Sequence, residues 1–587
     1  MKQAHSEIIP RLYMKLLPIQ IILVFIGGAN AIIDNAFAAN LLNQDAMAVT
    51  GLFGPVSNLL NAVNVLFFSG AQVLCGRYLG KHMSERTNSV FTLDMEAIVL
   101  VSFLLTGFCV LAPGPVTSLL GASPALAGDL AAYIRGYAAG LPFFCMGTQL
   151  TAFLQLEQQE KRSYAAILVM FASNVLLNWL FIGVLKMGLF GLGLATSAAN
   201  FLFFLIQALH YFSGKSAIRL VPRNVIVSDL KDILLNGFPG AASQACIFLR
   251  GILLNRIIAA SVGQHGLEAF SAVNSFGCIY WAVPAGVTSA VMVLGSVYAG
   301  EEDRAGLYTL MKSFLRYGLT LVIFVSLALS ASCVPLTRIF FRDPASPVYP
   351  MALHGFLLFP FSSILSAFTV GFSNYYHCLG QEKIVRTISF MDGIVFIILL
   401  ALLLIPHFGM DGMWTAQILS CLLCALLIYA YAAIRNRKVL CTLSDAMCFP
   451  ADFGVSAENR MDLSIHSLEE ATEVSRAVWK FCDERGVDPF RRYCASICLE
   501  EMACNIVKHG FSADQKKHRL DLRVSLVRDE IRLNLKDDCI SFNPVEASKL
   551  FDPEDKTHNI GLRIAGKISK SIQYQNTFGL NIVTIII

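Results

Sequence analysis

The chain has 587 residues, of which 55% are apolar or aromatic and 15% are charged, too apolar a balance for a soluble protein of this length. The charge is unevenly placed: Asp, Glu, Lys and Arg make up 46 of residues 1–451 (10%) but 40 of residues 452–587 (29%), with net charges of +6 and −2. Neither part offers the basic surface of a nucleic-acid binder, and the sixteen Cys, mostly inside apolar runs and without a zinc-type Cys/His spacing, read as small buried hydrophobes.

From the N-terminus, apolar stretches long enough to cross a hydrocarbon layer of roughly 30 Å fall near residues 18–42, 52–76, 93–112, 130–154, 163–185, 190–212, 233–260, 269–298, 314–334, 351–377, 385–405 and 412–434. Twelve spans are predicted. Residues 1–17 run directly into the first span without a cleavage-site pattern, so a removable signal peptide is not expected. The N-terminus, the even-to-odd connections and the segment after the last span hold 20 Lys and Arg; the opposite connections hold three, Lys186, Arg338 and Arg342. By the positive-inside rule both termini face the cytoplasm across the inner membrane. Arg135, Arg250 and Arg256 fall within spans and require partners or water.

The membrane part repeats itself. Gln159-Glu160-Lys161 matches Gln381-Glu382-Lys383, Gly188-x-x-Gly191 matches Gly409-x-x-Gly412, and Tyr78-x-Gly80 matches Tyr298-x-Gly300, at shifts of 220 to 222 residues. Two six-span repeats, about 12–213 and 232–438, are expected around a central cavity, an arrangement that suits a transporter better than a channel.

Asp34 in Ile33-Asp34-Asn35, the Gly76-Arg77-Tyr78-Leu79-Gly80 loop, Asn174-x-x-x-Asn178 in the fifth span and the Gly-rich start of the sixth resemble the multidrug and toxin extrusion (MATE) family over roughly residues 12–438. The resemblance implies antiport coupled to a proton or Na⁺, exporting amphipathic, often cationic, small molecules. Asp34 reads as the only acidic residue within the first bundle's spans, and an intramembrane carboxylate is a functional candidate by default. Asn174 and Asn178, one turn apart, and Thr196 match positions lining the family's N-terminal site, although Asn178 stands where one branch has Asp. In the second half Arg250 and Asp392 form a candidate polar site or a structural ion pair; the Glu of another branch is missing, with Ile247 near its place.

Residues 439–465 read as a linker and 466–587 as a small domain. A capping box at Ser467-x-x-Glu470 and a stop at Gly486 bound one helix; Asp488-Pro489 opens a second through about His509. Period-two runs at 519–526 and 530–535 across Arg528-Asp529 read as a hairpin, and a helix near 560–571 with two strands around Phe578-Gly579 completes an α+β sandwich. The predicted fold class is thus an all-α polytopic membrane domain plus an α+β domain.

In the second helix Glu501, Asn505 and His509 are placed on one face at successive turns, with Lys508 beside them; a carboxamide one turn from a carboxylate suits a Mg²⁺ ligand beside a base. This run resembles the N box of the GHKL (Bergerat-type) ATPases, in the branch of the anti-sigma-factor serine kinases. Asp537-Asp538-Cys539-Ile540-Ser541-Phe542-Asn543-Pro544 and Asn559-Ile560-Gly561-Leu562 resemble its two glycine boxes, although Cys539 and Asn559 stand where that branch has Gly. The resemblance implies ATP and Mg²⁺, with Glu501 catalytic, Asn505 on the metal, Asp537 on the adenine amine, and Lys508, His509 and Gly561 around the nucleotide. The expectation is a cation-coupled exporter with a cytosolic ATP-binding regulatory domain. Two alternatives stay open: a membrane-tethered serine/threonine kinase acting on a protein partner, and a flippase for a lipid-linked precursor.

Overall fold

The computed structural model describes residues 8–587 except 38–40, 43, 82, 120–123, 158, 214–215, 217, 223–224, 342, 440, 451–452, 513–517, 528–529, 541, 545–559 and 578–579. The turns expected at Arg528-Asp529 and Phe578-Gly579, and Asn559, lie outside the described residues, as do Lys2, Lys215, Arg223 and Arg342.

The first bundle comprises α1 (Ile8–Phe37), α2 (Gln44–Gly80), α3 (Ser84–Leu111), α4 (Pro113–Leu119), α5 (Pro124–Ala138), α6 (Leu141–Leu156), α7 (Glu160–Asn178) and α8 (Gly188–Phe212). The second comprises α9 (Ser228–Ser261), α10 (Gln264–Ser275), α11 (Gly277–Gly300), α12 (Arg304–Ser313), α13 (Leu319–Ala331), α14 (Cys333–Phe340), α15 (Val348–Cys378), α16 (Glu382–Phe390) and α17 (Phe396–Asn436). Nine described helical segments are long and apolar enough to cross a membrane. The difference from twelve is local. The fourth span is broken at Gly140 into α5 and α6, the first leads through partly described residues, and the last two run on as 382–436. That continuous segment is kinked at Gly409, whose φ of 57° and ψ of −136° leave the helical region.

The bundles meet where α1 and α2 pack on α9 and α11. Small residues let backbones approach there, the means by which helices associate in lipid without a hydrophobic driving force. A Cβ on Gly80 would lie 2.1 Å from the Val297 carbonyl oxygen, and one on Gly300 would lie 2.2 Å from that of Arg77. The repeated Tyr-x-Gly motifs therefore face each other. Arg77 locks this end by donating from Nε to the Cys378 carbonyl (2.9 Å), from Nη1 to Asn236 Oδ1 (3.2 Å) and from Nη2 to the His377 carbonyl.

Among the described residues no disulfide is present, and Cys421 and Cys424 share a C-x-x-C spacing on α17. The expectation of one intramembrane acid in the first bundle does not hold. Asp94 on α3 is fully buried, and neither of its carboxylate oxygens has a hydrogen-bond partner.

Beyond α17, Thr442 caps a short α18 (Leu443–Ala446) by a capping box. The chain that follows is strapped to the second bundle: Tyr375 and Tyr376 hydroxyls donate to the Met447 and Ala446 carbonyls (2.9 and 2.7 Å), and Gln381 Nε2 to that of Cys448 (2.8 Å). Residues 460–465, grouped with the linker by composition, form a strand, β1 (Arg460–Ile465). It joins β2 (Leu520–Val527), β3 (Glu530–Asp537), β4 (Ser571–Thr577) and β5 (Leu580–Ile586) in an antiparallel sheet of order β1-β2-β3-β5-β4. Among the described residues α19 (Leu468–Asp483), α20 (Pro489–Asn505) and α21 (Ile560–Ile568) are the longer helices of this domain. Its apolar core, including Val474, Leu499, Leu533 and Ile585, forms between α19, α20 and the sheet; the alternating burial of β2 and β3 follows from period two.

Candidate functional site

Two sites and one interface carry the chemistry. In the first bundle Asp34, Asn174, Asn178 and Thr196 come together, all buried. Asn178 Nδ2 donates to Asp34 Oδ1 (2.8 Å) and to Asn174 Oδ1 (3.2 Å); Thr196 Oγ1 lies 3.0 Å from Asp34 Oδ2 and receives a hydrogen bond from Asn174 Nδ2 (3.3 Å). The Thr196 hydroxyl also stands 3.3 Å from the Leu192 carbonyl, and its single proton serves one of the two acceptors at a time. No cation pairs with Asp34 in the described contacts; its partners are neutral. Asn178 Oδ1 is buried with no partner, an orphan acceptor next to a carboxylate. A charge without a counter-ion is costly in this setting, and an added proton or small cation removes that cost. Asn178 ends α7, and a π-helical turn over Trp179–Val184 follows it directly, a deviation frequent at functional sites.

In the second bundle a cavity of about 680 Å³ is lined by Arg250, Asn255, Asn274, Trp281, Phe359 and Gln417 among others. Its described lining contains no carboxylate. Arg250 is attracted by Asp392, which lies in the π-helical turn Met391–Val395, yet the two form no direct ion pair among the described contacts. Arg135 and Arg256 are exposed on the outside of their helices.

In the C-terminal domain Asp537, at the end of β3, is buried, and its Oδ1 accepts from the Cys539 backbone N–H (3.0 Å) and from Asn581 Nδ2 (2.8 Å). Burial pushes its carboxyl above the ordinary value against these hydrogen bonds. Asn581 on β5 was not singled out from the sequence. Its Oδ1 receives Tyr574 Oη (2.8 Å) and Asn576 Nδ2 (3.0 Å) while its amide holds Asp537, so it fixes the carboxylate's orientation. Its sequence signal was weak: with Thr584 it is one of two polar residues in a mostly apolar strand. Glu501 and Asn505 lie half-buried on the last turn of α20. The helix then loosens into a π-helical turn over Ile506–Gly510, which carries the exposed Lys508 and His509. Gly561 sits in the first turn of α21, where backbone N–H groups are available to an anion.

The sheet's other face docks on the membrane part. Arg523 on β2 pairs through Nη1 with Asp303 Oδ2 (2.8 Å) and through Nε with Asp462 Oδ1 (2.6 Å). Lys536 on β3 pairs with Glu301 and lies 5.1 Å from the centre of the Tyr298 ring. Glu301 and Asp303 follow Gly300 directly, and Asp303 caps α12 by accepting from Gly306 N–H (2.8 Å). Arg523 and Lys536 outweigh burial and hold the Asp303 carboxyl at about 2. Leu580 and Ile582 of β5 belong to the same apolar cluster as Ile9 and Tyr298 of the membrane part.

These features define a polytopic membrane protein carrying a small α+β domain at its C-terminal end. Residues 21–180 match the MatE family model, and residues 466–587 match the histidine kinase-like ATPase domain model. The chain is 23% identical over 437 residues to a probable multidrug resistance protein NorM from Chromobacterium violaceum, covering 70% of this chain and 91% of that one. A crystal structure of MATE in complex with MaL6 superposes with a TM-score of 0.67 at 18% identity, over 73% of this chain and 96% of the other. An outward-facing multidrug resistance MATE transporter of the MOP superfamily and a Pyrococcus furiosus MOP superfamily transporter, described as having a binding pocket of reversed polarity, each give 0.66 at 18% identity and the same coverage. The membrane part has the fold of the solved MATE structures, and the chain joins to it a segment that matches the histidine kinase-like ATPase domain model.

Proposed function

We propose that the membrane domain is a cation-coupled antiporter for amphipathic small molecules, in which Asp34 alternately takes up and releases a proton or Na⁺. The observation that carries this reading is the buried Asp34 with only neutral partners, beside the orphan Asn178 Oδ1. A proton on Asp34 or a cation between Asp34, Asn174 and Asn178 oxygens relieves the buried charge, and its departure restores a site that α7 and α8 must rearrange to accommodate. The basic end faces the cytoplasm of the inner membrane in this reading. The test is drug efflux from proteoliposomes under an imposed proton or Na⁺ gradient: Asp34→Asn is expected to abolish gradient-driven efflux, and undiminished efflux would sink the assignment.

A second reading, transport of an anionic amphiphile such as a lipid-linked precursor, is favoured by the carboxylate-free cavity containing Arg250. Competition of anionic against cationic amphiphiles for binding separates the two, with Arg250→Gln expected to weaken only the anionic class.

In the C-terminal domain, Asn505 would hold Mg²⁺, Asp537 the adenine amine and the start of α21 the phosphates, with Lys508 and His509 at the rim and Glu501 as base. The buried, hydrogen-bond-oriented Asp537 suits an amine donor. Bound ATP and its Mg²⁺ would supply the charge that draws these segments together. The regulatory role rests on the docking of β2 and β3 onto Glu301 and Asp303, one and three residues beyond the Gly300 contact between the bundles. Nucleotide-dependent movement of β3, which carries both Lys536 and Asp537, would act directly on the end of α11.

A further inference from the structure

We propose that His518, Asp538 and Cys539 form a binding site for a borderline divalent metal ion of the Zn²⁺ class at the rim of the nucleotide pocket. The three come from two segments brought level by the β2–β3 ladder. Leu520 pairs with Asp537 in the antiparallel register, and the same register continued outward sets His518 opposite Cys539. One ligand atom of each residue lies within 4.8 Å of the others. His518 and Cys539 are buried, whereas the Asp538 side chain is 33% exposed, which provides a route in and a solvent-facing position for a water or a further ligand.

The donor set selects the ion. Imidazole, carboxylate and thiolate together suit Zn²⁺ or Co²⁺, with three protein ligands and one open position; Mg²⁺ takes oxygen ligands and is served by Asn505 on the other segment. A plain hydrogen bond between His518 Nδ1 and Asp538 Oδ1, at 3.2 Å, accounts for two of the residues. Cys539 Sγ stands beside that pair in a closely packed space, where a Cβ on Gly510 would lie 2.8 Å from it, so a third donor of different chemistry is held within reach of both. The ligands also have outer supports: Asp538 Oδ1 accepts from Arg519 N–H (2.9 Å), and the His518 ring lies 5.9 Å from that of Phe511. The thiol additionally bonds to the Asp537 carboxylate, so drawing Sγ to a metal frees an acceptor on the residue expected to hold adenine. Metal binding displaces the thiol proton to solvent. The site stands on its own ligands and does not depend on nucleotide being bound.

The experiment is a Co²⁺ titration of the purified full-length chain in detergent, read by the near-ultraviolet thiolate-to-cobalt charge-transfer absorption. The expected result is a band that saturates at one ion per chain, is abolished in Cys539→Ser and is bleached by added Zn²⁺. Asp538→Asn, at a partly exposed position where misfolding is not a concern, should weaken Co²⁺ binding about 10- to 100-fold. Absence of the band in a chain that still unfolds cooperatively, or a band that persists in Cys539→Ser, overturns the proposal.

Discussion

Gly80 and Gly300 stand opposite each other where α2 crosses α11, each so close to the other helix that a Cβ would meet a carbonyl oxygen at 2.1 or 2.2 Å. Backbone on both sides leaves nothing that can yield. Replacing either glycine by Val should lower the melting temperature of the purified protein, with an overpacking cost of about 1–3 kcal/mol. In a pair of cysteines introduced across this seam, cross-linking should fall in the same variants; unchanged melting and cross-linking would show that the bundles do not close here.

Asn178 is the one residue that touches both Asp34 and Asn174 through a single amide. Asn178→Leu keeps the volume and removes both hydrogen bonds. Gradient-driven efflux should drop by roughly tenfold or more, while substrate binding measured without a gradient should stay close to the parent value. Equal loss of both would assign Asn178 to the substrate pocket.

Arg523 anchors the C-terminal domain through Asp303, in a setting where the side chains are 21% and 5% exposed. Removing one partner of a buried pair costs about 3–5 kcal/mol. Arg523→Ala should therefore release the domain from the transporter, seen as faster proteolysis between 439 and 459 and as two separate unfolding transitions in place of one.

The docking should also depend on pH in a defined direction. Asp303 has its carboxyl lowered from 3.8 to about 2 in the docked state, so its contribution is fully present above about pH 4 and is lost as the pH falls through about 2. Burial raises the neighbouring Glu301 carboxyl, so docking should hold or strengthen from neutral pH down to about 4, and fluorescence energy transfer between labels on the two domains should decline only below it. Loss already at pH 6 would place control on another group.

Asn581→Leu removes the amide that orients Asp537. Calorimetry with ATP and Mg²⁺ should show weakening of about 1.5–3 kcal/mol, the worth of a hydrogen bond to a charged group, with the domain's helical signal retained.

The sequence by itself determined the architecture, because hydrophobic length and the periods 3.6 and 2 are local properties. Most of the apolar spans, the hairpin of β2 and β3 and the capped α19 and α20 follow from such signals. The family resemblances also singled out Asp34, Asn174, Asn178 and Thr196, which meet in space as a set. What only the tertiary structure decided were matters of partnership. Asp94 became buried without a hydrogen bond, β1 was recruited from a stretch whose composition reads as linker because β2 offered it an unpaired edge, and the end of the helix that carries His509 took a π-helical form. Asn581 acquired its role through a sheet order that places β5 beside β3. The pairing of Arg523 with Asp303, 220 positions apart, has no local signature, since a charge on a strand's polar face looks solvated until another domain covers it.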